Sequence, residues 1–178
     1  MTTNPDLAAL IRTIPDFPKP GILFRDISTL LLDRQGFATA IERMVAAIPG
    51  PIDLVAGIEA RGFIFAAALA VPLGAGLLLI RKDGKLPGVT VAEEYELEYG
   101  RDRIAMHADA CVPGARVLLV DDLIATGGTA RAALRLLRRT GAAVVQAQFV
   151  VDLPDLGGAA ALRADGLDVH ALVSFPGH

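Results

Sequence analysis

Two carboxylates and a loop of small residues follow an apolar run in the second half of the chain. Residues 117–120 read Val-Leu-Leu-Val, Asp121 and Asp122 come next, and residues 126–129 read Thr-Gly-Gly-Thr before a helical pattern begins. Glycines let backbone N–H groups approach an anion, and a helix N-terminus adds unpaired N–H groups with a positive dipole. The loop therefore predicts a phosphate site. Because like charges repel, the two carboxylates suit sugar hydroxyls, a developing cation or a hydrated metal ion, so the whole segment predicts a phosphorylated sugar as ligand.

A purely structural interpretation of the same segment is a Gly-rich turn whose helix is capped by Thr126 or Thr129. The loop does not end in the Gly-Lys-Ser/Thr of a Walker A motif, and it does not match the Rossmann fingerprint. The carboxylate pair directly ahead of the loop favours a binding site over a simple turn.

The elements that must position this segment alternate along the chain. Short apolar runs predict strands at Asp53–Ile58, Gly76–Arg81, Arg116–Val120, Val144–Val151 and Val169–Val173. Helical spacing of apolar residues predicts helices at Leu7–Thr13, Arg34–Ile48, Gly62–Val71, Thr129–Arg139 and Asp155–Asp165. Residues 84–100 are rich in charge, Pro and Gly and predict an extended loop or hairpin. We therefore expect one α/β domain over residues 1–178, with a mostly parallel sheet that carries its ligand at the carboxyl ends of the strands.

Composition excludes several classes of protein. The net charge of −3 argues against a protein that coats nucleic acid, and the single cysteine, Cys111, excludes an internal disulfide and fits a reducing, cytoplasmic setting. The N-terminus lacks the pattern of a secretory signal. Residues 62–80 carry no charge, but Pro72, Gly74 and Gly76 interrupt them, so we expect a buried helix, a turn and a strand rather than a membrane span.

The segment from Val117 to Thr129 resembles the phosphoribosyl diphosphate (PRPP) binding motif of the type I phosphoribosyltransferase family. Further motifs, in order along the chain, resemble signatures of its adenine-specific members: residues 17–28 (FPKPGILFRDIS), 57–63 (GIEARGF), 81–88 (RKDGKLPG) and 96–100 (ELEYG). The resemblance implies the type I fold, in which helices flank a central, mostly parallel sheet. It also implies a base-recognition segment at residues 1–33 and a flexible hood at residues 84–105.

The resemblance implies that adenine and PRPP react to give AMP and pyrophosphate, with Mg²⁺ as cofactor. Asp121 and Asp122 would hold the ribose hydroxyls and stabilise an oxocarbenium-like cation. The residues that would hold the 5-phosphate are Ala125, Thr126, Gly127, Gly128 and Thr129.

The leaving pyrophosphate should be surrounded by cations and backbone donors. The match assigns this role to Ala60, Arg61, Arg81, Lys82 and Lys85. It also implies a cis peptide between Glu59 and Ala60, and a homodimer in which Arg81 could reach the partner's active site. The alternatives are an ordinary helix-start arginine and a solvated basic turn. Because Mg²⁺ usually stays on substrate phosphates, we expect PRPP to carry it with no direct protein ligand.

Adenine recognition is assigned by the resemblance to Leu23, Phe24, Arg25 and Leu153. The alternatives are ordinary core packing for the apolar residues and a structural Arg25–Asp26 ion pair. Glu98, in the hood, is the candidate for proton transfer at adenine N7, and closure of the hood would exclude water.

Two other functions would use the same loop. One is a transferase for another purine, such as xanthine or hypoxanthine. The other is a PRPP-sensing regulator that binds nucleic acid without catalysis. The acidic balance and the lack of room for a separate DNA-binding domain disfavour the regulator.

Overall fold

The structure, a computed structural model, describes residues 4–97 and 100–177. Its strands are β1 (Arg12–Pro15), β2 (Leu23–Asp26), β3 (Leu54–Ile58), β4 (Gly76–Lys82), β5 (Thr90–Leu97), β6 (Gly100–His107), β7 (Arg116–Ile124), β8 (Ala143–Asp152) and β9 (Val169–Ser174). Its helices are α1 (Pro5–Ala8), α2 (Ser28–Leu32), α3 (Arg34–Ala46), α4 (Gly62–Leu73), α5 (Gly128–Arg139) and α6 (Gly158–Ala164), and a 3₁₀ turn covers Pro154–Leu156.

The strands β3 to β9 form one sheet in the order β5-β6-β4-β3-β7-β8-β9. The five strands β4, β3, β7, β8 and β9 run parallel, while β5 and β6 form an antiparallel hairpin at one edge. The strands β1 and β2 form a separate antiparallel ribbon. The predicted α/β class and mostly parallel sheet are confirmed.

The central strand β7 is apolar at consecutive positions because both of its faces are buried. Leu119 packs on one face of the sheet beneath α5 and α6, whereas Leu118 and Val120 pack on the other face beneath α3 and α4. All three side chains are buried. A parallel sheet covered on both faces needs an apolar residue at every position of its inner strands.

Three of the predicted helices and strands differ from the structure by more than two residues at one end. The predicted helix Leu7–Thr13 is wrong in its second half, because the chain turns into β1, where Arg12 pairs with Asp26 of β2. The predicted helix Asp155–Asp165 is interrupted by Gly157, whose φ of 76° is left-handed. The strand predicted to end at Val120 continues to Ile124, so the acidic pair lies inside β7 rather than after it.

The uncharged stretch at residues 62–80 forms α4, a turn at Gly74 with φ of 60°, and β4, as the sequence predicted. Within residues 4–97 and 100–177, no helix is both long enough and apolar enough to cross a membrane.

The extended loop or hairpin predicted for residues 84–100 is the hairpin of β5 and β6 in the structure, and this hairpin extends further, to His107. Glu93 fastens it to α5, because its carboxylate accepts hydrogen bonds from Arg135 at 2.7 Å and from Arg139 at 2.8 Å. The hairpin is thereby held beside the carboxyl ends of β4 and β7. Glu98 and Tyr99 lie outside the described residues.

Candidate functional site

A cavity of about 460 Å³ opens at the carboxyl ends of β3, β4 and β7. It contains six of the site residues predicted from the sequence, namely Ala60, Arg61, Lys82, Asp121, Asp122 and Thr129. Its other lining residues are Ile58, Glu59, Tyr95, Asp102 and Leu123. Cations, carboxylates and a hydroxyl therefore meet in one space, at the edge where an open α/β sheet binds its ligands.

The acidic pair occupies the floor of this cavity. The Arg61 Nε atom lies 2.9 Å from Asp122 Oδ2, although among the described residues no donor is aligned to hydrogen-bond that buried oxygen. The backbone N–H of Asp122 donates to Asp121 Oδ1 at 2.9 Å. Burial raises the pKa of Asp121 well above its ordinary value, and the charge of Asp122 raises it further. Burial also raises the pKa of Asp122, against the opposing effect of Arg61. The carboxylates therefore lack solvation that a hydroxyl or cationic ligand would restore.

Gly62 brings the start of α4 directly against this pair. A Cβ atom at this position would lie 2.8 Å from Asp121 Oδ1 and 2.9 Å from the Val120 carbonyl oxygen. Only glycine allows the helix to start so close to the acidic pair, which explains the Arg-Gly sequence after β3.

The segment of residues 125–129, which is predicted to bind phosphate and is called the phosphate loop below, leads into α5 through Gly127, whose φ is 82°. In the described chain no side chain caps this helix, so the interpretation of Thr126 or Thr129 as a simple cap is wrong. The first N–H groups of the helix have no partners within the helix and are available to an anion. Gly158 supports the loop from α6, because its N–H donates to the Ala125 carbonyl at 3.0 Å.

Arg81 and Lys82, the basic residues at the end of β4, are engaged by carboxylates. Arg81 donates to Glu59 at 2.9 and 3.3 Å and to the Lys85 carbonyl at 3.0 Å. The Lys82 ammonium lies 3.4 Å from Asp102 Oδ2. The hydrogen bond from Arg81 lowers the pKa of Glu59. The described lining of the cavity includes Lys82 but not Arg81 or Lys85. The Glu59–Ala60 peptide is cis, as the resemblance implied.

The described lining of the cavity does not include the residues predicted for base recognition. Phe24 contacts the lining residue Arg61, since the centroid of its ring lies 5.4 Å from the Arg61 guanidinium carbon. Leu23 is exposed next to it on β2, and Leu153 is buried directly after β8.

Arg25 is buried and held by three contacts. It donates to Thr13 Oγ1 at 2.6 Å and to the Pro176 carbonyl at 3.2 Å, and its guanidinium lies 4.5 Å from the centre of the Phe175 ring. Burial lowers its pKa. The alternative of an Arg25–Asp26 ion pair is wrong, because Asp26 pairs with Arg12. Arg25 therefore joins the ribbon of β1 and β2 to the C-terminal segment.

Comparison with known proteins identifies the family. Residues 29–160 match the phosphoribosyl transferase domain. The chain is 59% identical to adenine phosphoribosyltransferase from Bradyrhizobium sp. (strain BTAi1 / ATCC BAA-1182), with 100% of both chains covered, and 61% identical to that from Chelativorans sp. (strain BNC1), with 97% and 96% covered. The chain belongs to the adenine phosphoribosyltransferases. It is therefore a glycosyltransferase of purine salvage that forms AMP and pyrophosphate from adenine and PRPP.

Solved structures of adenine phosphoribosyltransferases share the fold. The enzyme from Thermoanaerobacter pseudethanolicus is 46% identical, with a TM-score of 0.92 and coverage of 97% of this chain and 100% of that one. The enzyme from Saccharomyces cerevisiae, solved with adenine and an imino-altritol bisphosphate, is 35% identical, with a TM-score of 0.87 and coverage of 96% and 98%. The type I phosphoribosyltransferase fold is thereby confirmed.

Sequence reasoning gave no site role to Glu59, Tyr95, Asp102 or Gly158 of this adenine phosphoribosyltransferase. The side chains of Glu59, Tyr95 and Asp102 line the cavity, and Gly158 supports the phosphate loop. Tyr95 and Asp102 could have been found from the sequence. A hairpin with alternating side chains that extended on both sides of Glu98 would have placed them opposite each other. No sequence pattern identifies Gly158, since it lies thirty residues beyond the loop and contacts the loop only in the folded chain.

Proposed function

We propose that the cavity binds PRPP with the 5-phosphate on residues 125–129 and the diphosphate toward Ala60, Arg61 and Lys82, with Arg81 and Lys85 behind them. The observation that carries this proposal is that Asp121 and Asp122 line the same cavity as Thr129 of the loop and Lys82 at the basic end of β4. An anion-binding loop, an acidic pair and a cationic edge match the phosphate, the ribose hydroxyls and the diphosphate of one substrate.

The acidic pair would act on the reacting ribose. Transfer breaks the bond between ribose C1 and the diphosphate oxygen and forms a bond from C1 to adenine N9. As the first bond breaks, positive charge grows on the ring, and the carboxylates of Asp121 and Asp122 would stabilise it. Removing one such preorganised contact typically costs on the order of 3 kcal/mol, or about a hundredfold in kcat.

The base would lie between the exposed face of Leu23 and the side chains of Phe24 and Leu153. Arg25 would help by fixing the ribbon and the C-terminal segment around it, as its contacts to Thr13 and Pro176 indicate. The proton that leaves adenine as N9 bonds to C1 would transfer through Glu98 at N7. Closing the hood over this site would protect PRPP from hydrolysis.

Mg²⁺ is part of the same proposal. The cavity offers the carboxylate oxygens of Glu59, Asp102, Asp121 and Asp122, and oxygen is the ligand that Mg²⁺ prefers. Among the described residues, however, no three such side chains converge as a metal-binding group. Because Mg²⁺ usually stays on substrate phosphates, the ion would arrive on the diphosphate of PRPP, where its charge would stabilise the leaving group.

The proposed assembly is a homodimer. Leu77 and Leu79 alternate on one face of β4 and are 43% and 39% exposed, and Ile64 and Val71 are exposed on the neighbouring helix α4. Aliphatic side chains left exposed on a sheet and its adjoining helix favour burial against a second copy. Sedimentation should give about twice the chain mass of 18.6 kDa, and Leu79→Glu should give the monomer. A monomeric wild-type protein would overturn this assignment.

We also propose a cytoplasmic location, because the chain's single cysteine, Cys111, is a free thiol and such use of cysteine is typical of reducing compartments. Detection of the protein in a membrane or periplasmic fraction would contradict it.

Steady-state kinetics test the residue assignments. The wild-type protein should turn over adenine faster than hypoxanthine, guanine or xanthine, with release of pyrophosphate. Asp122→Asn should lower kcat about a hundredfold with little loss of fold. Asp165→Asn is the matched control, because Asp165 is paired with Arg131 at 2.6 Å outside the cavity. Unchanged turnover in Asp122→Asn would remove the carboxylate from the mechanism.

A further inference from the structure

A tyrosine and an aspartate face each other across the hairpin at the cavity wall. Tyr95 on β5 and Asp102 on β6 are paired in the strand register, so their side chains share one face of the hairpin. The buried Tyr95 hydroxyl donates to Asp102 Oδ2 at 3.1 Å. Both residues flank the segment that carries Glu98.

Asp102 also reaches the neighbouring strand β4. Its Oδ2 atom lies 3.4 Å from the Lys82 ammonium, and its Oδ1 atom accepts a hydrogen bond from the Arg103 N–H at 2.8 Å. That backbone hydrogen bond lowers the pKa of Asp102, so the group is a carboxylate at neutral pH. The Lys82 side chain is 62% exposed. A long exposed ammonium side chain samples many rotamers unless a partner restricts it, and Asp102 supplies that restriction.

The same tyrosine borders the phosphate loop. Thr129, in the first turn of α5, lines the cavity with Tyr95 and Asp102. Burial raises the pKa of Tyr95, and the nearby Thr129 side chain acts in the opposite direction. The side chains of Thr129, Tyr95, Asp102 and Lys82 thus form a row across the cavity, from the phosphate loop to the basic end of β4.

We infer that Asp102 is a positioning residue of the transfer reaction, which holds the Lys82 ammonium and the Tyr95 hydroxyl in place at the diphosphate end of the cavity. The inference rests on the proposed assignment of Lys82 to the diphosphate. Electrostatics alone predicts a different role, because a negative charge beside the diphosphate would repel PRPP. The two roles differ in which kinetic parameter the aspartate changes.

The experiment compares Asp102→Asn, Tyr95→Phe and the double variant with wild type, and uses Asp165→Asn as the control for loss of an exposed ion pair. Steady-state kinetics give kcat and the KM for PRPP, calorimetry gives the Kd for PRPP, and thermal unfolding gives Tm. For Asp102→Asn we expect kcat to fall about tenfold, equivalent to about 1.4 kcal/mol of transition-state stabilisation, while the Kd for PRPP stays the same or decreases. Tyr95→Phe should also lower kcat, and the double variant should be no slower than Asp102→Asn, since the two side chains act as a unit.

Three results would overturn the inference. A lower Kd for PRPP with kcat unchanged in Asp102→Asn would make the aspartate a repulsive charge only. A fall in Tm and activity that matches Asp165→Asn would make the pair structural. Multiplicative losses in the double variant would mean that Tyr95 and Asp102 act separately. Lys82→Met tests the underlying assignment independently, because unchanged PRPP affinity and kcat in that variant would remove Lys82 from the diphosphate site.

Discussion

Gly158 offers the sharpest test of how the phosphate loop is supported. It lies in the first turn of α6, outside the loop, and the loop folds onto it. In Gly158→Ala the added Cβ would lie 2.6 Å from the Gly127 nitrogen and 2.8 Å from the Thr126 carbonyl carbon, and it would also contact the Ala125 carbonyl oxygen. These are backbone atoms, so no side-chain rotation can relieve the contact and the loop itself must move.

The size of the effect follows from this crowding. Forcing one extra carbon into a packed site costs about 1–3 kcal/mol. If the loop takes up that strain, binding of the 5-phosphate should lose a similar free energy, and the affinity for PRPP should fall about 5- to 150-fold. Alanine is otherwise the better helix residue by about 0.5–1 kcal/mol, so without the contact the variant would be more stable than wild type.

Isothermal titration calorimetry with PRPP and thermal unfolding measure the two effects separately. Gly166→Ala is the control, because its φ is 78° and no described heavy atom lies within 4 Å of an added Cβ. The control should lose about 1–2 kcal/mol of stability from its left-handed backbone and keep its PRPP affinity. If Gly158→Ala binds PRPP as tightly as wild type, or if Gly166→Ala loses the same affinity, the loop does not depend on α6.

Three further predictions concern charge and proton transfer. Asp121→Asn should raise Tm at pH 8. The pKa of Asp121 is raised in the folded protein, so wild type loses stability as the pH rises through that pKa, and the variant does not. Calorimetry should show the gain in Tm of the variant shrinking as the pH falls toward 4. The same carboxyl should give the wild-type profile of kcat/KM for PRPP an acid limb above the ordinary aspartate pKa of 3.8, and a limb at or below 3.8 would contradict the burial argument. Glu98→Gln should lower kcat more than it changes the KM for PRPP, whereas the reverse pattern would make Glu98 a binding residue.

The sequence predicted β7 from its apolar residues but ended the strand at the first carboxylate. In the structure the strand continues through Asp121 and Asp122 to Ile124, because β8 pairs with it as far as Asp152. Charged residues fit inside a central strand at this position because the cavity opens at its carboxyl end. Hydrophobicity locates the buried part of a strand, whereas backbone pairing with its neighbours determines where it ends.

The long-range contacts could not be predicted from the sequence, for a different reason. Asp102 meets Lys82 because the sheet order places β6 directly beside β4, and nothing local in either segment predicts that order. Glu59 could be placed at the end of β3 from sequence, yet its hydrogen bonds to Arg81 depend on β3 and β4 running parallel in register, with Ile58 opposite Ile80. Motifs therefore predicted the substrate-binding loops, while the side chains that connect the loops required the fold.

These connections have a common electrostatic form. Arg61 lies against Asp122, Arg81 against Glu59 and Lys82 against Asp102, so cations assigned to the diphosphate end already have carboxylate partners in the free protein. In the proposed arrangement PRPP would have to compete with those carboxylates, which would lower its ground-state affinity relative to a site with unpaired cations. The partners also hold the cations at fixed positions, so little reorganisation is needed when charge moves onto the diphosphate as the bond to C1 breaks. Interactions that strengthen only in the transition state raise kcat rather than affinity. A site of paired charges is suited to raising kcat in this way.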